Sequence, residues 1–177
     1  MAALDFSSPS SNASNRARKL FFRTSAALSL LLLASCAATI PPGVIAAKNF
    51  DPLRFEGTWY ELARTNHPDE GGLTRVTATY IRKSDGTWLV TDRAWSNFEG
   101  AWVGSERAGK PGEFPASLRL KHAKPRNIVL IDSEHTMALV CSNTYKQFWI
   151  ISKNPDPEPA RFDKMLTAAQ EAGFPVK

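Results

Sequence analysis

Gly57-Thr58-Trp59-Tyr60-Glu61-Leu62-Ala63-Arg64 reads as a β-strand opened by a glycine, and alternation sets Trp59, Glu61 and Ala63 on one face. Runs of the same kind recur downstream about every ten residues, at 74–83, 87–96, 101–108, 116–123, 126–132, 137–142 and 147–153. Turn signals separate them: His67-Pro68-Asp69 with Gly71-Gly72, Ser84-Asp85-Gly86, residues 97–100, residues 109–112, Lys124-Pro125, residues 133–135 and Asn143-Thr144. Eight short strands in succession predict an antiparallel sandwich or barrel. Val76, Ala78 and Tyr80 share a face; so do Trp88, Val90 and Ala94, with Asp92 falling among them, and Leu118 with Leu120. The runs 128–131 and 148–151 are apolar on both faces and need cover outside as well as inside. Residues 158–172 supply it, a helix opened by Asn154-Pro155-Asp156-Pro157 and closed by Gly173. Its stripe is Phe162, Met165, Leu166 and Ala169.

Upstream of this text the chain changes character. Arg16-Ala17-Arg18-Lys19 and Arg23 precede the apolar run Ser25-Ala26-Ala27-Leu28-Ser29-Leu30-Leu31-Leu32-Leu33-Ala34-Ser35, which has the layout of a secretory signal peptide. The run is shorter than the roughly twenty residues that span a bilayer. Leu33-Ala34-Ser35-Cys36 resembles the tetrapeptide read by lipoprotein signal peptidase. That resemblance implies cleavage before Cys36, diacylglycerol on its sulfur and an acyl chain such as palmitate on its new amino group, a stable multi-chain anchor. Ala37 after the cysteine, where Asp would retain a lipoprotein elsewhere, implies the outer membrane. Two alternatives stay open: cleavage after Ala37 or Ala38, releasing a soluble periplasmic or secreted protein, and an organellar transit peptide suggested by the Ser-rich stretch 7–14. The expected organisation is a signal peptide at 1–35, a lipidated cysteine and tether at 36–48, and one domain at 49–177.

Charge follows the same division. The formal net charge is +5, of which +3 lies before Cys36. The remainder interleaves acids and bases without the basic stripe a nucleic-acid surface needs, so no nucleic-acid partner is expected. His67, His122 and His135 are scattered, with no zinc spacing, and neither a phosphate loop nor a local Ser-His-acid motif is present; no metal, cofactor or catalytic residue is expected. The chain has two cysteines, Cys36 and Cys141. A lipid on Cys36 leaves Cys141 unpaired, whereas a free Cys36 would allow one bridge.

Asn49-Phe50-Asp51, Arg54 and Gly57-Thr58-Trp59-Tyr60-Glu61 resemble the opening signature of the lipocalins, and within them the bacterial outer-membrane lipoproteins with their apolipoprotein D and temperature-induced relatives. Val76-Thr77-Ala78-Thr79-Tyr80, Asp85-Gly86, His135 through Ala138-Leu139-Val140-Cys141, Phe148-Trp149-Ile150-Ile151-Ser152-Lys153 and Ala172-Gly173-Phe174 follow in the order of that family. The resemblance implies an all-β fold, an eight-stranded antiparallel up-and-down barrel with one C-terminal helix packed outside. The family's closing strand ends in Arg lying across the first-strand tryptophan; here Lys153 keeps the charge but loses the planar stack.

The family also implies a ligand, a fatty acid or lysophospholipid held for storage or transport during envelope maintenance under stress, by a protein facing the periplasm. Tyr80, Trp88, Val90, Trp102, Leu118, Leu120, Trp149 and Ile151 are the expected cavity lining, with Gly57, Trp59 and Lys153 at the closed end. The head group is expected at a mouth formed by residues 66–73 and opposing loops. Glu61 and Asp92 are expected to pair with Lys153 or Arg93, or to anchor a head group. The rival reading is an enzyme acting on a lipid or isoprenoid through Cys141, although Met137 and Leu139 on its own face favour a buried, inert thiol. A homodimer stays open as an assembly.

Overall fold

The computed structural model describes residues 39–176; the expected signal peptide and Cys36 lie outside them. Eight strands form a closed antiparallel barrel in sequence order: β1 (Gly57–Arg64), β2 (Leu73–Arg82), β3 (Trp88–Ser96), β4 (Ala101–Pro111), β5 (Ser117–Leu120), β6 (Arg126–Ile131), β7 (Met137–Cys141) and β8 (Phe148–Ser152). β1 pairs with both β2 and β8, which completes the ring and leaves no open sheet edge. Asp85 and Gly86 turn β2 into β3: the Asp85 carboxylate accepts from the Thr87 N–H at 2.9 Å, and Gly86 takes a φ of 80° that a side chain would resist.

A short helix, α1 (Pro52–Phe55), crosses the closed end. Asp51 caps it by accepting from the backbone N–H groups of Leu53 and Arg54, Pro52 starts it, and Phe55 is driven fully into the barrel. The second helix, α2 (Pro159–Glu171), packs on the outer wall. Met165 and Ala169 are buried there with Phe162 and Leu166 beside them, against Met137, Leu139, Cys141, Phe148 and Ile150. The wall therefore has two apolar faces. An inner core runs from Phe55 and Trp59 to Ile128, Val140 and Ile151, and an outer core lies under α2. This accounts for the doubly apolar runs of β6, β7 and β8.

Two sequence expectations change. A bulge between Glu61 and Ala63 breaks the alternation of β1, so Ala63 packs with the outer core and not beside Trp59 and Glu61. Residues 39–48, expected as a tether, lie against the barrel: Asn127 donates to the Thr39 carbonyl at 2.7 Å, the Tyr145 hydroxyl donates to the Pro42 carbonyl at 2.7 Å, and the Ala47 N–H donates to the Ile128 carbonyl at 2.8 Å. Ile40 and Val44 join the outer core.

Candidate functional site

The closed end is built around Trp59. Its indole N–H donates to the Phe55 carbonyl at 2.8 Å, its ring lies 4.7 Å from that of Phe55, and none of it is exposed. Lys153 meets it as expected, with Nζ 5.3 Å from the ring centroid. The ammonium also donates to the carbonyls of Arg54 and Glu56 at 2.8 and 2.9 Å, groups the end of α1 leaves without helical partners. Burial, and then the charge of Arg54, hold the Lys153 pKa below its usual value. Gly57 begins β1 with a φ of 106°, where only glycine is relaxed. Phe55, Tyr80 and Trp88 complete an aromatic floor, with ring centroids 4.9 Å apart for Phe55–Tyr80 and 6.5 Å for Tyr80–Trp88.

Above this floor the barrel holds a cavity of about 560 Å³. Of the expected lining residues, Tyr80, Leu120, Trp149 and Ile151 face it. Trp88, Val90 and Leu118 point inward but are consumed in packing the tapering closed end, so they belong to the inner core below the cavity. Trp102 is corrected outright. It sits on the outer face of β4, 45% exposed, edge-on to Trp95 at 5.8 Å and under the Arg93 guanidinium at 4.4 Å. Val103, Ser105 and Arg107 are the inward residues of that strand.

A polar network that the sequence reading missed stands on the floor. Asp92, correctly expected on an inward face, pairs with Arg107 at 2.7 Å and with Arg126 at 2.7 Å, not with Arg93. Arg126 also donates to the Tyr80 hydroxyl at 2.9 Å and lies 5.7 Å over its ring. Burial opposes the Arg126 charge, but Tyr80 and Asp92 outweigh it and raise its pKa further. Burial likewise raises the Tyr80 phenol, against the pull of Arg126. Arg126 shares the inward face of β6 with Ile128, a parity that was available from the sequence. A second network lies on the wall of β1 and β8. Glu61 is bonded to Arg64 and not to Lys153, and Arg64 stands 3.8 Å from Glu70, which accepts from the Trp149 indole at 3.2 Å. Burial raises the Glu61 pKa against the pull of Arg64. Glu70, Leu73, His122, Lys124 and Gln147 extend the lining toward the open end, beside apolar walls of Val76, Ala94 and Val103.

Cys141 is buried with Met137 and Leu139 in the outer core, so its thiol belongs to the helix side of the wall. Burial pushes its pKa up to about 12, against a bond from Asn127. The cavity-cysteine chemistry considered from sequence has no geometric basis, since this thiol does not line the cavity. Among the described residues no cluster of His, Cys, Asp or Glu could hold a metal ion.

Comparison with known proteins gives the same architecture. A family model described as a lipocalin-like domain matches residues 50–177. The outer membrane lipoprotein Blc of Escherichia coli K12 is 36% identical over 160 residues, covering 85% of this chain and 89% of its own. The outer membrane lipoprotein Blc of Citrobacter freundii is 34% identical, covering 82% and 86%, and temperature-induced lipocalin-1 of Arabidopsis thaliana 27% identical, covering 73% and 76%. Among solved structures, the cockroach allergen Per a 4 superposes with a TM-score of 0.64 at 22% identity over 78% of this chain and 90% of its own, which supports the fold alone. A closed eight-stranded barrel with a tryptophan-plugged base, an outer helix and these relatives place the chain in the lipocalin family, alongside the outer membrane lipoproteins.

Proposed function

We propose that this chain is a non-enzymatic lipid carrier that stores or transports a fatty acid or lysophospholipid in its barrel during envelope maintenance under stress. The observation that carries the reading is the cavity of about 560 Å³, closed below by Trp59 and walled largely by aliphatic and aromatic side chains. That volume suits one acyl ligand, and each methylene removed from water contributes roughly 0.8 kcal/mol with little directional demand. The chain shares the outer-membrane location of its relatives. Our reading adds a diacylglycerol thioether on Cys36, with the barrel facing the periplasm.

Native mass spectrometry of gently extracted protein tests the carrier reading. An acyl lipid that co-purifies reproducibly, or a stoichiometric complex formed on adding palmitate or lysophospholipid, is the expected result. A barrel that stays empty in both experiments overturns it. For the anchor, palmitate labelling is expected to disappear in Cys36→Ala, and labelling that survives the substitution contradicts it.

A further inference from the structure

The barrel wall is least paired between β5 and β6. Among the described residues their ladder has two register pairs, Ser117 with Asn127 and Leu118 with Arg126, where β3 and β4 have nine. Toward the closed end β5 departs from its neighbour. The Ile128 N–H still reaches the Ala116 carbonyl at 2.8 Å, but the Ile128 carbonyl, on the same edge of β6, accepts from the Ala47 N–H. The next inward residue, Ile131, has its carbonyl filled by the Asn49 side chain at 3.2 Å. Residues 46–49 therefore stand where β5 is missing and finish the wall.

This patch is lightly held. Ala46 and Ala47 are what it packs on the inner core, so lifting it uncovers little apolar area. Ile45 beside them is 70% exposed. Upstream, Asn127, fully buried, donates to the Thr39 carbonyl at 2.7 Å and to that of Ser142 at 3.1 Å, and the Thr39 hydroxyl donates to Glu113 at 3.0 Å. Ile40 and Val44 rest on the outer core, which sets the resting position as closed. Behind the seam, Leu120 and Arg126 line the cavity.

We infer that residues 39–48 form a strap whose lifting opens a portal through the β5–β6 seam, so that an acyl chain enters and leaves through the side of the barrel rather than its mouth. This rests on the carrier reading above and concerns the path, not the ligand. The lining toward the mouth includes Glu70, His122, Lys124 and Gln147, and a chain threaded end-on must displace the water these groups hold. The seam offers alanine side chains and leads directly to the apolar interior.

The test is exchange kinetics on the full-length protein in detergent, with cis-parinaric acid as a fluorescent fatty acid followed by stopped flow. Thr39→Cys and Glu113→Cys, adjacent on the outer surface, are joined by a short bifunctional reagent that forms reducible bonds. The Thr39→Cys protein treated alike is the reference. A gate alters the barrier and not the end states, so the bridge is expected to slow association and dissociation alike, by about tenfold, with Kd unchanged. Reductant restores both rates. Ala47→Pro, which has no N–H for Ile128, is expected to speed both. Rates that the bridge leaves at the reference value overturn the portal and leave the carrier reading intact. So does a change in one rate alone with a matching change in Kd, or a folded Ala47→Pro protein with reference rates. The bridged result stands even if Ala47→Pro fails to fold. A protein that binds no cis-parinaric acid, bridged or free, overturns the carrier reading and the portal with it.

Discussion

Two tryptophans of this chain do opposite things. Trp59 is fully enclosed by Phe55, Tyr80 and Lys153, and its N–H is spent on the Phe55 carbonyl. Trp59→Ala removes the base of the cavity and strands that carbonyl, so urea unfolding is expected to register a loss of about 3–5 kcal/mol. Trp102 lies half in solvent beneath Arg93. Trp102→Ala gives up that exposed cation–π contact and the edge-on contact with Trp95, about 1–2 kcal/mol together. Lipid affinity should be unmoved, and a calorimetric loss of tenfold or more would return Trp102 to the cavity wall. Cys141→Ser belongs at this scale too. A hydroxyl in the outer core costs about 1–3 kcal/mol of stability, yet acyl-lipid affinity is expected to stay at the unsubstituted value because the residue does not line the cavity.

Between strand and helix, the outer core is what makes β7 apolar on both faces: all five of its residues are buried. Met165→Ala on α2 is expected to cost about 2–5 kcal/mol by chemical denaturation with unchanged lipid affinity, since it hollows the wrong side of the wall to reach the ligand. The elements themselves were legible because period-two alternation and Gly, Pro and Asx turns agree along the whole domain. What was not legible depends on register. Ala101-Trp102-Val103-Gly104 has no contrast of polar and apolar that fixes which side faces in, and only pairing with β3 sets Trp102 outside. The bulge after Glu61 is equally silent in sequence. Asp92 could be seen to be misplaced on an apolar face, but its partners lie 15 and 34 residues away, and nothing local names them.

At the scale of the molecule, Asp132 joins the turn between β6 and β7 to α2. It accepts from the Thr136 and Met137 N–H groups at 2.7 and 3.2 Å and from the Thr136 hydroxyl at 2.9 Å, and it pairs with Arg161. Burial opposes its charge, but these donors outweigh burial and hold its pKa below the usual carboxylate value. The depressed folded value means that Asp132 stabilises the fold above the unfolded pKa of about 3.9, and that this contribution is lost as pH falls through the lower folded value. Melting temperatures are expected to fall over that acidic window and to fall less in Asp132→Asn; parallel curves for the two proteins would count against the assignment.

The same seam between barrel and helix contains a timekeeper. With Cys36 acylated, Cys141 is the one thiol left in the chain. Because burial shields this sulfur and disfavours its thiolate, an alkylating reagent must wait until α2 lifts or the sheet beneath it parts. Fast reagents then count the openings themselves, and slow ones measure the fraction of time spent open. A lipid that tightens the barrel would lengthen the interval between those events without touching the sulfur.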